Sequence, residues 1–483
     1  MLKSIIKACS SNIYNETAFR ITYFVSLLFS GVVFLDILSV PLCAATLIWS
    51  ALILIHKIKL GTFNVKYSKI VMLFLLFSMI TAVINITVGF PINVLAEIVI
   101  IYHAAICFFL FYGMPCDIAD FDEIKKEIIL ACKVLVVLST SLVLLSFILL
   151  IFKDSFTFSL PLPPIIEKYG RYIRVVGIIK GEESVRFTGV FINPNILAFC
   201  STVSIIFCHI LYRTDQIFNL KRKWSKVLLV TLIVSAHFLA LVLSDSIASF
   251  LFLVIYAVLW MFYKMILENK ISSIKLIAKH SAFFLMGCFI LVLGLFGFRA
   301  CFQNNASDII DNVYSIITNY TSSPDINNDI IHFGRPNYDI RDGSGRSRLL
   351  AQGFYIFLKH PLFGIGSTNV IEYGNVYFES GIAFSNFHNG YFSILVCNGV
   401  AGFITFVAFL SLVMLNLLMF FFKKYTQLKA TIFVNLLICI LAYLVFALFE
   451  KALLSEINFM SIFFWLVLGY AMTFFMKYNY KKE

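Results

Sequence analysis

Residues 344–366 read SGRSRLLAQGFYIFLKHPLFGIG and lie within Arg299–Asn389, a long polar break in a chain that otherwise reads as one membrane span after another. Outward from this break the composition is 60% hydrophobic and only 13% charged, with a mean hydropathy of +0.92. Soluble domains carry about 25% charged residues. Crossing a hydrocarbon core takes about 20 apolar residues, and the chain offers about twelve such runs. These are Phe19–Leu38, Val40–His56, Tyr67–Phe90, Val94–Gly113, Ile128–Phe152, Pro194–Tyr212, Val227–Leu243, Ile247–Tyr263, Ser281–Phe298, Val400–Phe422, Ala430–Phe449 and Ile457–Met476. The expected fold is an all-α integral membrane protein, a single polytopic domain over residues 1–483. It carries an external loop at 153–188 and a large extracytoplasmic loop at 299–390, between the ninth and tenth spans. Lys3, Lys7 and Arg20 precede a first run too long for a cleaved leader, so that run is expected to stay in the membrane.

The net charge of +12 raises the question of nucleic acid, and its placement answers it. With the N-terminus inside and loops alternating, 25 of the 38 Lys and Arg fall on the cytoplasmic side. That is the positive-inside bias, with both termini cytoplasmic and no nucleic-acid role implied. The arginines run the other way. Of 11, only Arg20, Arg213 and Arg222 fall inside; Arg171, Arg174, Arg186, Arg299, Arg335, Arg341, Arg346 and Arg348 are external. Topology treats Lys and Arg alike, so an external face poor in Lys and rich in Arg indicates a demand for the planar fork that grips phosphate or carboxylate in two places. An anion site outside is expected.

The 11 cysteines are scattered and form no CxxC pair, which supports neither a disulfide framework nor a thiolate zinc site. Asp308, Asp311, Asp325 and His332 lack metal-ligand spacing. Neither metal nor cofactor is expected. The loop from Cys116 to Lys133 reads as a solvated connector. Further on, Tyr172–Val176 alternates like a strand, with 181–184 as its turn. Asn193-Pro194-Asn195 suits a helix N-cap and first turn, which with Arg186 would offer an anion unpaired N–H groups and the positive end of the helix dipole. Asp245, in the turn Ser244–Ser246, is the nearest carboxylate. From Gly345 the pattern is helical, with Leu349, Leu350, Phe354 and Phe357 sharing a face and Arg346 and Arg348 at the start. Gly364-Ile365-Gly366 is a tight turn and a weak phosphate-loop candidate. His388, followed by Asn389 and Tyr391 where the loop re-enters the membrane, is a candidate general base.

Three stretches, RFTGVFINPN (Arg186–Asn195), GRSRLLAQGFYIFLKHPLFGIG (Gly345–Gly366) and HNGYFSILVCNGVAG (His388–Gly402), together resemble the bacterial O-antigen polymerase and O-antigen ligase superfamily. The resemblance implies a GT-C-like membrane glycosyltransferase that uses undecaprenyl-pyrophosphate-linked oligosaccharide as donor and acceptor. Its active site would face the outside of the plasma (inner) membrane of a bacterium. It implies a catalytic set of Arg186, Arg346 and His388, the arginines meeting the pyrophosphate leaving group and the histidine the attacking hydroxyl. Arg348, Arg341, Arg335, Arg174, Asn193, Asn195, Asn389, Asp245 and Tyr391 are further substrate-binding candidates. Either Arg346 or Arg348 matches the family's arginine. One departure is that Ser246 is followed by Ile247, where the family often has arginine. A polymerase of repeat units is the leading expectation, with the bilayer, a chain-length regulator and a flippase of the same pathway as partners. A ligase transferring finished glycan, a lipid-linked oligosaccharide flippase and a structural membrane partner are the rivals.

Overall fold

The computed structural model describes residues 14–61, 65–86, 91–114, 121–151, 178–180, 185–216, 222–268, 297, 346–379, 381–382, 387–428 and 431–480. In chain order the elements are α1 (Glu16–Phe29), α2 (Asp36–Leu60), α3 (Ser68–Ile84), α4 (Pro91–Ile106, continued by a π-helical turn Cys107–Tyr112) and α5 (Phe121–Ile151). They are followed by the strands β1 (Ile178–Lys180) and β2 (Val185–Phe187), then by α6 (Pro194–Arg213), α7 (Lys223–Ser244) and α8 (Ile247–Phe262). The later helices are α9 (Arg346–Lys359), α10 (Val370–Tyr377), α11 (Gly390–Leu428), α12 (Ile432–Phe446) and α13 (Phe459–Tyr480). Among the described residues, 8 helices are long and apolar enough to cross a membrane, and Ser68–Ile84 and Ile432–Phe446 are shorter apolar helices. The protein is a multi-pass, all-α membrane protein.

The expected spans need correction in three places. The run Phe19–Leu38 does not form one helix. α1 stops at Phe29, and the chain turns extended at Gly31–Val33, where Val33 N–H donates to the Val190 carbonyl at 2.9 Å and Ile192 N–H to the Gly31 carbonyl at 3.0 Å. Apolar content alone could not reveal that pairing. Second, the loop taken as a solvated connector is already helical from Phe121, and its Glu127 is buried against Arg20 (Nε–Oε1 2.7 Å). Third, α11 is broken at Gly399, whose φ of 64° and ψ of −171° interrupt the helix between the turn carrying Asn398 and a long second part. The expected span Ser281–Phe298 falls outside the described residues, apart from residue 297.

The chain divides into two compact units. The first comprises Met1–Leu28, Leu38–Ile128 and Asp342–Glu483; the second comprises Phe29–Ile37 and Ile129–Arg341. In the first unit, α3 and α13 pack around α11 and the π-turn through a chain of rings. Phe74 meets Phe406 and Phe108, and Phe108 stands edge-on to Phe409 and Trp465 with centroids 5.2 and 4.8 Å apart. Such edge-to-face contacts add to the dispersion energy of burial.

The break in α11 is occupied by the segment that follows α9. A broken helix leaves carbonyls and N–H groups without intrahelical partners, and in an apolar setting each must find another. Here Val396 and Cys397 accept from the N–H groups of Ile365 (3.2 Å) and Gly366 (2.8 Å), while Val400 and Ala401 donate to the carbonyls of Pro361 (2.8 Å) and Leu362 (3.1 Å). The crossing needs glycine on both sides: a Cβ on Gly399 would stand 2.3 Å from the Leu362 oxygen, and one on Gly364 2.5 Å from the Cys397 oxygen. Glu97, buried in α4, anchors the same segment by accepting from the N–H and the hydroxyl of Thr368, both at 3.0 Å. Gly364–Gly366 is therefore a structural crossing: the N–H groups of Ile365 and Gly366 are turned to α11, and that of Gly364 donates to the His360 carbonyl at 3.1 Å.

In the second unit, α6 packs along α7 and α8. The hydroxyls of Ser139 and Ser204 meet at 2.5 Å, and the Thr202 hydroxyl donates to the Ser249 carbonyl at 3.1 Å. β1 at Ile178–Lys180 pairs antiparallel with β2, and the expected turn at 181–184 lies outside the described residues. Tyr172–Val176 lie outside the described residues.

Candidate functional sites

In the first unit, three elements bring Arg346, His388 and Glu450 together. Arg346 is the first residue of α9. That helix buries Leu349, Gly353 and Ile356, a face rotated from the expected one, with Phe354 left 51% exposed. The close approach of α9 explains the rotation, since a Cβ on Gly353 would be 2.6 Å from the Phe387 ring and 2.7 Å from the Phe392 ring.

His388 sits at φ +47°, a conformation that an L-residue adopts at a cost and that clusters at functional positions. The residues after it hold it there. Asn389 Oδ1 accepts from Phe392 N–H at 2.9 Å, capping the start of α11. Gly390 N–H donates to the Ala447 carbonyl at 2.7 Å and the Tyr391 hydroxyl to the Leu444 carbonyl at 3.0 Å, which ties this corner to the end of α12. Glu450 follows that end. Its loop is pinned by the Tyr443 hydroxyl on the Ala452 carbonyl (2.7 Å) and by Trp465 Nε1 on the Leu453 carbonyl (2.9 Å).

The result is a carboxylate between a guanidinium and an imidazole. Glu450 Oε1 is 3.6 Å from Arg346 and Oε2 is 3.5 Å from His388 Nδ1. The Glu450 side chain is 9% exposed, against 28% for Arg346 and 23% for His388, so the two nitrogen bases open to the surroundings while the acid is held behind them. Arg348 is exposed. Beyond the other end of α9, His360 bonds the Tyr377 hydroxyl at 2.8 Å, and burial lowers its pKa from the ordinary 6.5. Burial, with Tyr377 close by, raises the pKa of Tyr373. Among the described residues no group of three or more His, Cys, Asp or Glu converges to hold a metal ion.

In the second unit, Arg186 leaves β2 and lays its guanidinium across the adjoining ends of α6 and α7. Nε donates to the Ser244 carbonyl at 3.1 Å, and Nη2 donates to Asn195 Oδ1 at 2.9 Å and the Asp245 carbonyl at 3.3 Å. Asn193 is extended, its Oδ1 accepts from Asn195 N–H at 2.8 Å, and Pro194 opens α6, as the NPN pattern implies. Asp245 is buried in the left-handed conformation at φ 53°. Arg186 thus satisfies carbonyls at the negative end of α7 while sitting beside the positive start of α6. Its contacts are structural as well as electrostatic.

Arg174, Arg335 and Arg341 lie outside the described residues. Glu450 escaped the sequence reading. The signal was present in FEKALLSE (449–456), where an acid follows directly on an apolar helix in a loop too short to carry it far from the membrane face.

No match to a curated protein was found. The model of the O-antigen ligase family matches residues 228–407, an interval that contains Arg346 and His388 and stops short of Glu450. The match spans 180 of the 483 residues, takes in two of the three motifs, Gly345–Gly366 and His388–Gly402, and supports the resemblance to the O-antigen polymerase and ligase superfamily.

Proposed function

We propose that the protein polymerises lipid-linked oligosaccharide repeat units at the outer face of the bacterial plasma membrane, moving the growing glycan from undecaprenyl pyrophosphate to a sugar hydroxyl of a new lipid-linked repeat. The observation that carries this reading is the carboxylate of Glu450 standing between Arg346 and His388. A carboxylate on Nδ1 selects the tautomer with its proton there, which leaves the Nε2 lone pair to accept another. In the proposed reaction the acceptor hydroxyl oxygen bonds to the anomeric carbon, its proton passes to His388 Nε2, and the bond to the pyrophosphate oxygen breaks with its electron pair staying on the leaving group. Arg346 neutralises the charge that grows there. The donor brings its own activated leaving group, so the step balances with no nucleotide consumed. Arg186, at the mouth of α6, is proposed as a further phosphate contact, and Arg348 as an outer one.

The ligase reading has support of its own, since the matching family is described as O-antigen ligase. Both transfers use this chemistry and differ in the acceptor. The test is incubation of the purified protein in nanodiscs with the lipid-linked repeat unit, with products resolved by size. A ladder of lengthening glycans on the lipid carrier marks a polymerase. A product formed only on adding a separate acceptor marks a ligase. Under either reading His388→Ala lowers the rate by about 10²–10⁴-fold, and Glu450→Gln and Arg346→Gln lower it without loss of folded protein. Repeat units left unchanged by folded, donor-binding protein, both without and with an added acceptor, would sink both in favour of transport.

A further inference from the structure

The α6–α7 pair has a second polar end. Arg186, Asn193 and Ser244 mark one end; Arg213 and Lys223 mark the other, about 30 Å away along helices of this length. At this far end the second unit holds a cavity of about 590 Å³ whose lining includes Arg213, Lys223, Lys226, Trp260, Lys264 and Asp215.

The charge in that cavity is unbalanced. Its carboxylate, Asp215, is already engaged by Lys226 at 2.5 Å. Lys223 and Lys264 stand exposed at the rim. Arg213 is held in place, its guanidinium carbon 4.4 Å from the centroid of the Trp260 ring, a stacking that orients the fork. Its Nη1 is buried and has no hydrogen-bond acceptor among the described residues. A buried cationic donor left without an acceptor is costly, and an anion oxygen removes that cost.

A positive-inside rim alone would account for exposed lysines. It does not account for an oriented arginine with a buried, unanswered N–H inside a cavity. Basic pockets between the ends of membrane helices suit phosphate headgroups. We propose that this cavity binds a phosphate group at the membrane surface, gripped by Arg213 with Lys223 and Lys264 closing over it. The phosphate can be that of an anionic lipid or of a soluble compound. The proposal is independent of the transfer reaction proposed above.

The experiment uses the full chain in nanodiscs of phosphatidylcholine with or without phosphatidylglycerol, with native mass spectrometry counting lipid retained per chain and inorganic phosphate added as competitor. Selective retention of phosphatidylglycerol that resists inorganic phosphate is expected, weakened roughly tenfold in Arg213→Gln. Displacement by inorganic phosphate, with the same loss in Arg213→Gln, upholds the site and assigns it to a soluble compound. The double variant Lys223→Gln/Lys264→Gln, altering exposed side chains only, must weaken binding too, and it decides the matter should Arg213→Gln fail to fold. Equal retention of both lipids with no response to phosphate, or retention unaffected by the variants, overturns the proposal.

Discussion

Replacing Gly399 by alanine tests the account of the broken helix. Gly399 has φ 64° and ψ −171°, and an added Cβ would meet the Leu362 oxygen at 2.3 Å, its carbonyl carbon at 2.4 Å and the Phe363 nitrogen at 2.5 Å. All three are backbone atoms, so no side chain can swing away; the 360–366 segment must move by about an ångström or α11 must straighten. Either movement opens at least two of the four hydrogen bonds between the segments. At about 0.5–1.5 kcal/mol net per bond that is about 1–3 kcal/mol. Backbone strain for a non-glycine residue in this region adds about 1–3 kcal/mol. The expected loss is therefore about 2–6 kcal/mol, a large share of a stability of about 5–15 kcal/mol. Denaturant unfolding in detergent reads it directly. The control is Gly61→Ala, also at positive φ (+65°) but with nothing within 4 Å of the added Cβ, which isolates the conformational cost of about 1–2 kcal/mol. Because residues 390–398 carry the corner that presents His388, glycan transfer should fall as well. A Gly399→Ala protein as stable and active as Gly61→Ala would refute the account.

Arg186 spreads its guanidinium over three acceptors, which a lysine ammonium cannot match, so Arg186→Lys should cost about 1–3 kcal/mol in unfolding experiments. Transfer activity lost at unchanged stability would instead assign it to substrate alone. Arg20 and Glu127 are 1% and 4% exposed and paired at 2.7 Å; Glu127→Gln leaves Arg20 the longer pair with Glu16 at 3.4 Å and should cost up to about 3–5 kcal/mol, and a folded yield equal to wild type would contradict that. His360 carries the pH dependence. Its folded pKa lies below the ordinary 6.5, so the unfolded state binds more protons, and stability is fully present above pH 6.5 and declines as pH falls through it toward the depressed value. Protection factors of amides in Val370–Tyr377, with the intrinsic pH dependence of exchange divided out, should fall below pH 6.5, and His360→Phe should abolish the fall.

Membrane character and helix class were legible in the sequence because they depend on composition summed over long windows, where tertiary context cannot reverse the sign. Asn193-Pro194 was legible for a local reason: N-cap chemistry acts over a single turn. Arg346 and His388 were legible as an arginine and a histidine in two of the three motifs, and the histidine's role depended on a partner that the motifs do not contain. Glu450 lies 62 positions after His388 in the chain. The tertiary structure alone joins them, through backbone bonds from Gly390 and Tyr391 to the end of α12. The same holds for Gly364–Gly366, which by pattern resembles a turn that could cradle phosphate. The N–H groups of Ile365 and Gly366 answer carbonyls freed at Gly399, a pairing set by where two distant segments cross. The end of α1 at Phe29 likewise follows from strand-like pairing with residues 190–192. Local pattern and summed hydrophobicity determine which segments are helices and which solvent they meet; the partners of polar groups are a matter of long-range packing, and only the folded chain decides them.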